Sequence, residues 1–406
     1  MPSFRRLDWH YMAMQMGFWA MFAAIVAYQT ALLLDREFSN GEAGLMTSVR
    51  CLAGIVFQPL LGGYADRHPE VPLKRIVALS LVLSLAAGAW YWLDGDMGLG
   101  PTALVWVVIG GLGVSSYPLM DAMAVQFISD GVPIRYSLGR GMGSLAYAVV
   151  CVLLGLQVGR WGVETTLITF LALTVLETAL VLTYPTWRPG PAALRAERPR
   201  PQSALALLRS SPRFTLMLAG VLFGLTAVLP LSNFLVTVVV DRGGVSADLG
   251  LAMFLMGASE LPAAILFSKL QRRLDSGKIL ALSIGFCTLK GVALLCTWNL
   301  AGVLVVQPLQ MLGYGLFTPA SVYFVNESVP PADRVRGQTV MMVASNGLGG
   351  MLGGLLAGLT LDLGGANWML AACVACGCVG TLLCLLALRA PKIHKDTSSQ
   401  TGPNGV

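Results

Sequence analysis

Apolar stretches of helix length recur along the chain with short polar breaks between them, near residues 12–34, 43–65, 74–93, 101–127, 138–160, 162–183, 213–239, 248–270, 278–298, 300–326, 336–361 and 366–388. Each is long enough to cross roughly 30 Å of hydrocarbon at about 1.5 Å per residue. The pattern therefore predicts twelve membrane-spanning helices and an all-α integral membrane fold. One longer break, "YPTWRPGPAALRAERPRPQSALALLRSSPRF", is rich in Pro and Arg and divides the spans six and six. The expected organisation is a bundle at 1–183, a cytoplasmic linker at 184–212, a second bundle at 213–390 and a disordered tail at 391–406. Basic hairpins beginning "GGYADRH" and "SKLQRRLDSGK" fall at the same place in each half, a faint internal repeat. Together with the helix count it favours a two-domain transporter over a channel.

Composition agrees: 55% of the 406 residues are hydrophobic, 12% are charged and the mean hydropathy is +0.70, too little polar surface for a soluble chain of this size. Placing both termini inside puts twenty-one Lys and Arg residues in cytoplasmic segments, from Arg5 and Arg6 to Lys392 and Lys395, against Arg36, Arg160 and Arg242 outside. The net charge of +6 is thus mostly topology, and no aromatic-interleaved basic surface points to nucleic acid. Arg5 and Arg6 precede a full-length span with no cleavage site, so the first helix is expected in the mature protein. The eight cysteines all lie in spans, and the CxxC within "CVACGC" has no further ligand beside it, so packing is expected and no metal. No nucleophile triad or phosphate-binding loop appears in a plausible context, so neither an enzyme nor a cofactor is expected.

The chemistry lies in ionisable residues at membrane depth: Arg50, Asp121, Arg140, Glu177, Glu260 and Lys290, with Glu327 near a helix end. Three cations and three anions suggest mutual pairing, whether as structural salt bridges or as a polar pathway. Asp121 and Arg140 lie at similar distances from the turn at Gly131, which allows a charge-assisted hydrogen bond between consecutive helices. Tyr147 is seven residues past Arg140, two turns along the same face, where a guanidinium and an aromatic ring could recognise a polar ring solute or Tyr147 could simply fill the core. Glycines in "LGRGMGS" and "SNGLGGMLGGLLAG" permit close helix approach, as rocking or static packing equally require.

The whole chain resembles the major facilitator superfamily, and "GGYADR" matches that superfamily's loop signature through Gly62, Asp66 and Arg67. The resemblance implies that these residues gate the cytoplasmic side, with Lys74 and Arg75 supplying the charge of a longer loop. Within the superfamily the chain is most similar to the lactose permease group of oligosaccharide/proton symporters, with nucleoside and phenylpropionate permeases as neighbours. "FQPLLGGYAD", "YPLMDA", "GRGMGSLAYA", "GASELPA" and "CTLKG" carry that similarity. It implies substrate-binding roles for Asp121, Arg140, Tyr147 and Glu260, and proton coupling by Glu260 with Lys290 as charge partner. The group's titratable tenth-helix set is replaced by Gln307, Gln310 and Gly313, and its sugar-binding asparagine by Ala263.

The reading that follows is proton-coupled uptake of a sugar or similar small polar solute, by a monomer in the bacterial inner membrane. The alternative is a carrier or exporter for a nucleoside, an aromatic acid or another organic solute with different ion coupling. An anionic solute would suit Arg50, Arg140 and Lys290.

Overall fold

The computed structural model describes residues 4–187, 207–209, 211–330 and 333–390. The greater part of the 184–212 linker and the 391–406 tail, with Arg188, Arg195, Arg198, Arg200, Lys392 and Lys395, lies outside the described residues. The described chain is all helical. α1 runs Phe4–Phe22, passes through a π-helical turn at Ala23–Ala27 and resumes as Gln29–Asp35. α2 is Asn40–Arg67 and α3 is Leu73–Leu93. α4 is Leu99–Val108, a π turn at Ile109–Gly113, a 3-10 turn at Val114–Ser116 and Tyr117–Ser129. α5 is Tyr136–Trp161 and α6 is Thr165–Thr183.

In the second half, α7 combines Pro212–Val228, Pro230–Asn233 and Leu235–Asp241. α8 combines Asp248–Glu260 and Ala263–Leu270, broken at Pro262, and α9 is Ser276–Leu295. α10 is Leu300–Val306, a 3-10 turn at Gln307–Met311 and Tyr314–Ser328. α11 begins Arg334–Met342, passes a π turn at Val343–Gly349 and enters the helical run Gly350–Arg389. That run is two spans, because Gly364 and Gly365 leave the helical region and Gly365 takes φ 73°, a left-handed conformation open to glycine. α11 therefore ends at 363 and α12 starts at 366, which resolves eleven continuous spanning helices into the twelve expected.

The first and fourth span of each half, α1, α4, α7 and α10, all leave regular α geometry near mid-span, as do α8 at Pro262 and α11 at its π turn. The two halves also share a sequence that the hairpin comparison missed. "LLLDREFSNGEAGL" at 32–45 aligns without a gap on "VVVDRGGVSADLGL" at 238–251. In each, an arginine after the aspartate reaches the start of the sixth span of its own half, Arg36 to Glu164 at 2.6 Å and Arg242 to Asn367 at 2.5 Å. Glu42 and Asp248 then accept the backbone N–H of Ser39 and Val245 at 2.8 and 2.9 Å, each at the start of the next helix.

Outward-turned Leu79, Leu156, Val175, Val305, Leu359 and Leu382 clothe the bundle in an apolar belt. Trp9, Trp161, Trp298 and Trp368 stand exposed at helix ends, the usual station of tryptophan at a membrane interface.

The termini share one face of the bundle, and the two halves meet at the other. There α2 touches α11, with Gly44 and Gly41 against Gly358, Ser48 Oγ donating to Met351 O at 2.7 Å and Gly41 N donating to Asp362 at 2.8 Å. α5 meets α8 through Gly155 and Gly250, and Thr30 of α1 donates to Asn233 O of α7 at 2.6 Å. Lacking side chains, these glycines let backbones approach to van der Waals contact. Towards the terminal face the same helices part: Leu60 and Tyr64 of α2, Leu138 of α5, Ile265 of α8 and Val335 of α11 are exposed, the last at 82%. The structure is thus sealed on one face and open on the other.

Candidate functional site

Asp121 sits one turn into the last segment of α4, positioned by the 3-10 turn before it and by Pro118 in the first helical turn. Its Oδ2 accepts from Arg140 Nη1 at 3.0 Å and Tyr136 OH at 2.9 Å; its Oδ1 accepts from Gln15 Nε2 at 2.7 Å and Tyr11 OH at 3.1 Å. The pair expected from the turn spacing is therefore present. Gln15, which spacing arguments missed, closes a ring: its Oε1 accepts from Tyr117 OH at 3.1 Å, and Tyr117 in turn accepts from Arg140 at 2.5 Å. Four donors occupy Asp121, so it anchors Arg140 more than it offers itself. The Asp121 side chain is 14% exposed and that of Arg140 is 40%, so the guanidinium carries the cluster's free donors towards open space.

Tyr147 of α5 lies beyond this ring. Its ring is 6.4 Å from that of Trp19 and 6.3 Å from that of Phe22, and its hydroxyl is 3.8 Å from the Met253 sulfur of α8. A Cβ on Gly257 would stand 3.5 Å from the Tyr147 ring, so Tyr147 spans from the first half to the second. The aromatic that stacks over Arg140 is Tyr117, at 5.3 Å.

In the second half Glu260 ends the first segment of α8, immediately before the break at Pro262. Lys290 of α9, 1% exposed, donates to Gln310 Oε1 at 2.8 Å, and Gln310 Nε2 donates to Glu260 Oε1 at 3.2 Å. Glu260 and Lys290 are thus joined through an amide in the 3-10 turn of α10. Gln310 is the bridge between them.

The expectation that all six buried charges pair is corrected. Arg50 of α2 donates through Nε to Gln29 Oε1 at 2.7 Å and has no carboxylate partner among the described residues. Glu177 of α6 is fully buried, and neither carboxylate oxygen has a hydrogen-bond partner among the described residues. It presses on α1 at Gly17, where a Cβ would collide with Glu177 Oε2. The two unpaired groups sit on different neighbours of α1 and do not meet.

The signature residues Gly62, Asp66 and Arg67 end α2 at the open face, and the position above Gly62 is empty space. Lys74 is drawn to α6, donating to Leu182 O at 3.2 Å and Tyr184 O at 3.0 Å, so it ties helix ends within its own half. Among the described residues no three His, Cys, Asp or Glu side chains gather as a metal site.

Known proteins share this architecture. A curated relative, a maltose permease from Geobacillus stearothermophilus, is 25% identical over 378 residues, 91% of each chain. Among solved structures, a point mutant of the nucleoside transporter NupG superposes with a TM-score of 0.80 at 15% identity, covering 94% of this chain and 99% of that one. A bacterial homologue of the human lysosomal transporter Spinster, inward-facing and unoccupied, gives 0.70 at 14% identity over 96% and 98% of the two chains. At these identities the structures show the fold alone. The MFS_1 like family profile matches residues 8–372, and with twelve spans in two repeated halves the chain belongs to that family of membrane transporters.

Proposed function

We propose that this chain takes up a sugar or similar small polar solute together with a proton, by alternating access. The observation that carries the reading is the placement of charge. Each half holds one ionisable cluster at membrane depth, Asp121 with Arg140 in the first and Glu260 with Lys290 in the second, with Tyr147 reaching from α5 to α8 between the halves. Arg140 and Tyr147 serve as substrate contacts, Asp121 fixes Arg140, and Glu260 carries the proton with Lys290 as charge partner through Gln310. Protonation of Glu260 removes the anion that Gln310 and Lys290 face, so the proton changes the charge balance of the second cluster as the solute binds and the halves close around it. The maltose permease relative supports a sugar.

The distribution of Lys and Arg supports termini in the cytoplasm of a bacterial inner membrane, so the open face is the cytoplasmic one. We assign the bundles to 1–183 and 213–390 and the linker to 184–212, with Gly62, Asp66 and Arg67 gating the open side of a monomer. A second reading, a carrier of organic acids, is favoured by unpaired Arg50. The test is solute-driven proton movement in right-side-out vesicles across mono- and disaccharides, nucleosides and aromatic acids. Symport predicts external alkalinisation with one class, lost in Asp121→Asn, and flux without proton movement in Glu260→Gln. Proton movement retained in Glu260→Gln would remove that residue as carrier.

A further inference from the structure

Among the described residues Arg50 is a charge without a counter-charge. Guanidinium stays protonated at any physiological pH, so it cannot escape burial by losing a proton. Its residue is 8% exposed, ten positions into α2, and only Nε is bonded, to the neutral amide of Gln29. That amide is held by Thr47 Oγ1 at 3.4 Å. The carboxylates that could compensate Arg50 are engaged or turned elsewhere: Asp121 on Arg140, Glu260 on Gln310 and Glu177 on Gly17. The residue keeps a small accessible surface, and neither Nη is among the sealed, unpartnered atoms of the described residues.

The backbone around Arg50 is shaped to admit it. A Cβ on Gly110 would lie 2.6 Å from Arg50 Cγ and 2.6 Å from its carbonyl oxygen, so the stem fits only because α4 has glycine there. Gly110 lies in the π turn of α4, and Gln29 follows the π turn of α1 by two residues. Such turns displace side chains from their regular facing and are frequent at ligand sites. The arrangement positions a bidentate fork with its Nη donors free, the geometry that suits carboxylate and related oxyanions.

We propose that Arg50, seated by Gln29 and Gly110, binds a single anionic group: the carboxylate of the transported solute or a free inorganic anion. This deepens the transport reading and rests on it for its setting. It makes the chain a carrier of an acid, such as a sugar acid or aromatic acid, or a carrier whose cavity holds an inorganic anion beside a neutral solute. In either case the anion supplies the charge that the protein withholds.

The experiment is thermal unfolding of the full-length protein, purified in detergent, titrated at fixed ionic strength with glucuronate, benzoate, chloride and uncharged methyl glucoside. Wild type is expected to gain a saturable upward shift with an anion. Arg50→Gln, which keeps an amide beside Gln29, is expected to lose that shift and to melt higher than wild type when no anion is present, since it removes an unpaired buried charge. Arg50→Lys, a point charge without the fork, is expected to retain a shift with half-saturation about tenfold higher or more. Protection by glucuronate or benzoate assigns the anion to the solute; protection by chloride alone assigns it to an inorganic ion. No protection by any anion, or equal protection in wild type and Arg50→Gln, overturns the proposal. So does an anion-free Arg50→Gln that melts lower than wild type, because that makes Arg50 structural. Flux is measured separately: solute uptake without anion protection sinks this site and leaves the transport reading standing, whereas protection without uptake of any solute supports the site and counts against that reading.

Discussion

At the scale of single residues the site is a matter of who satisfies whom. Gln15 holds Asp121 and Tyr11 with its nitrogen and Tyr117 with its oxygen, so one amide fixes both ends of the Asp121 to Arg140 bridge. Replacing it with Leu leaves buried polar groups short of partners at about 1–3 kcal/mol, which predicts roughly a tenfold rise in the half-saturating solute concentration of uptake. Gln15→Glu keeps the shape but sets a second carboxylate beside Asp121, and uptake assays should show the larger loss. Glu177 makes the opposite prediction. Both of its oxygens are buried without partners among the described residues, so Glu177→Met, similar in volume and apolar, is expected to raise the melting temperature by the equivalent of about 1–3 kcal/mol. Gly17→Ala should lower it in wild type but cost much less in Glu177→Ala, where the carboxyl it meets is gone. The ionisable residues were legible because charge in an apolar run is conspicuous. Gln15 and the bridging role of Gln310 were not, since an uncharged amide gains meaning only from which neighbouring helix it faces, and that depends on packing.

At the scale of helices, the apolar pattern located all twelve spans to within a few residues at most ends, because length and hydropathy are set by the bilayer. Their interruptions were invisible to it. A π turn is one extra residue absorbed locally, and "AAIVA" or "IGGLG" reads as ordinary apolar helix. This gives a contrast to measure. Deleting Ala24 removes the extra residue while flanking faces keep their register, so melting should hold within a few degrees while solute flux falls. Deleting Met14 from the regular part of α1 turns every later side chain by about 100° and is expected to prevent folding. The glycine seams argue likewise. Leu at Gly358 would drive a side chain into Asn40 O and Gly44, prising α2 from α11. The expected outcome is loss of flux, together with labelling by an impermeant maleimide of Thr47→Cys, a position that is 1% exposed here.

At the scale of the whole molecule, the repeat and the seals define what must move. Both halves carry the same arginine anchor to their sixth span and the same carboxylate contact at the start of their second, so each is braced as a unit. Contacts that join one unit to the other concentrate at the sealed face, where α2 meets α11 and α5 meets α8, and exposure concentrates at the other ends of the same helices. Two braced bodies joined at one end can exchange open faces by rocking, with little internal change. Spin labels at Tyr64 and Val335, exposed on the open face in opposite halves, should therefore approach each other when a transported solute is added at low pH. A pair at Glu37 and Leu363, on the sealed face, should separate in the same sample. If the proton acts by discharging Glu260, then Glu260→Gln should show the shortened Tyr64 to Val335 distance with solute at every pH, while wild type shows it only when acidified. Distances on both faces that stay fixed, in a sample that transports, would mean that the seams do not part and that access is controlled by local gates instead.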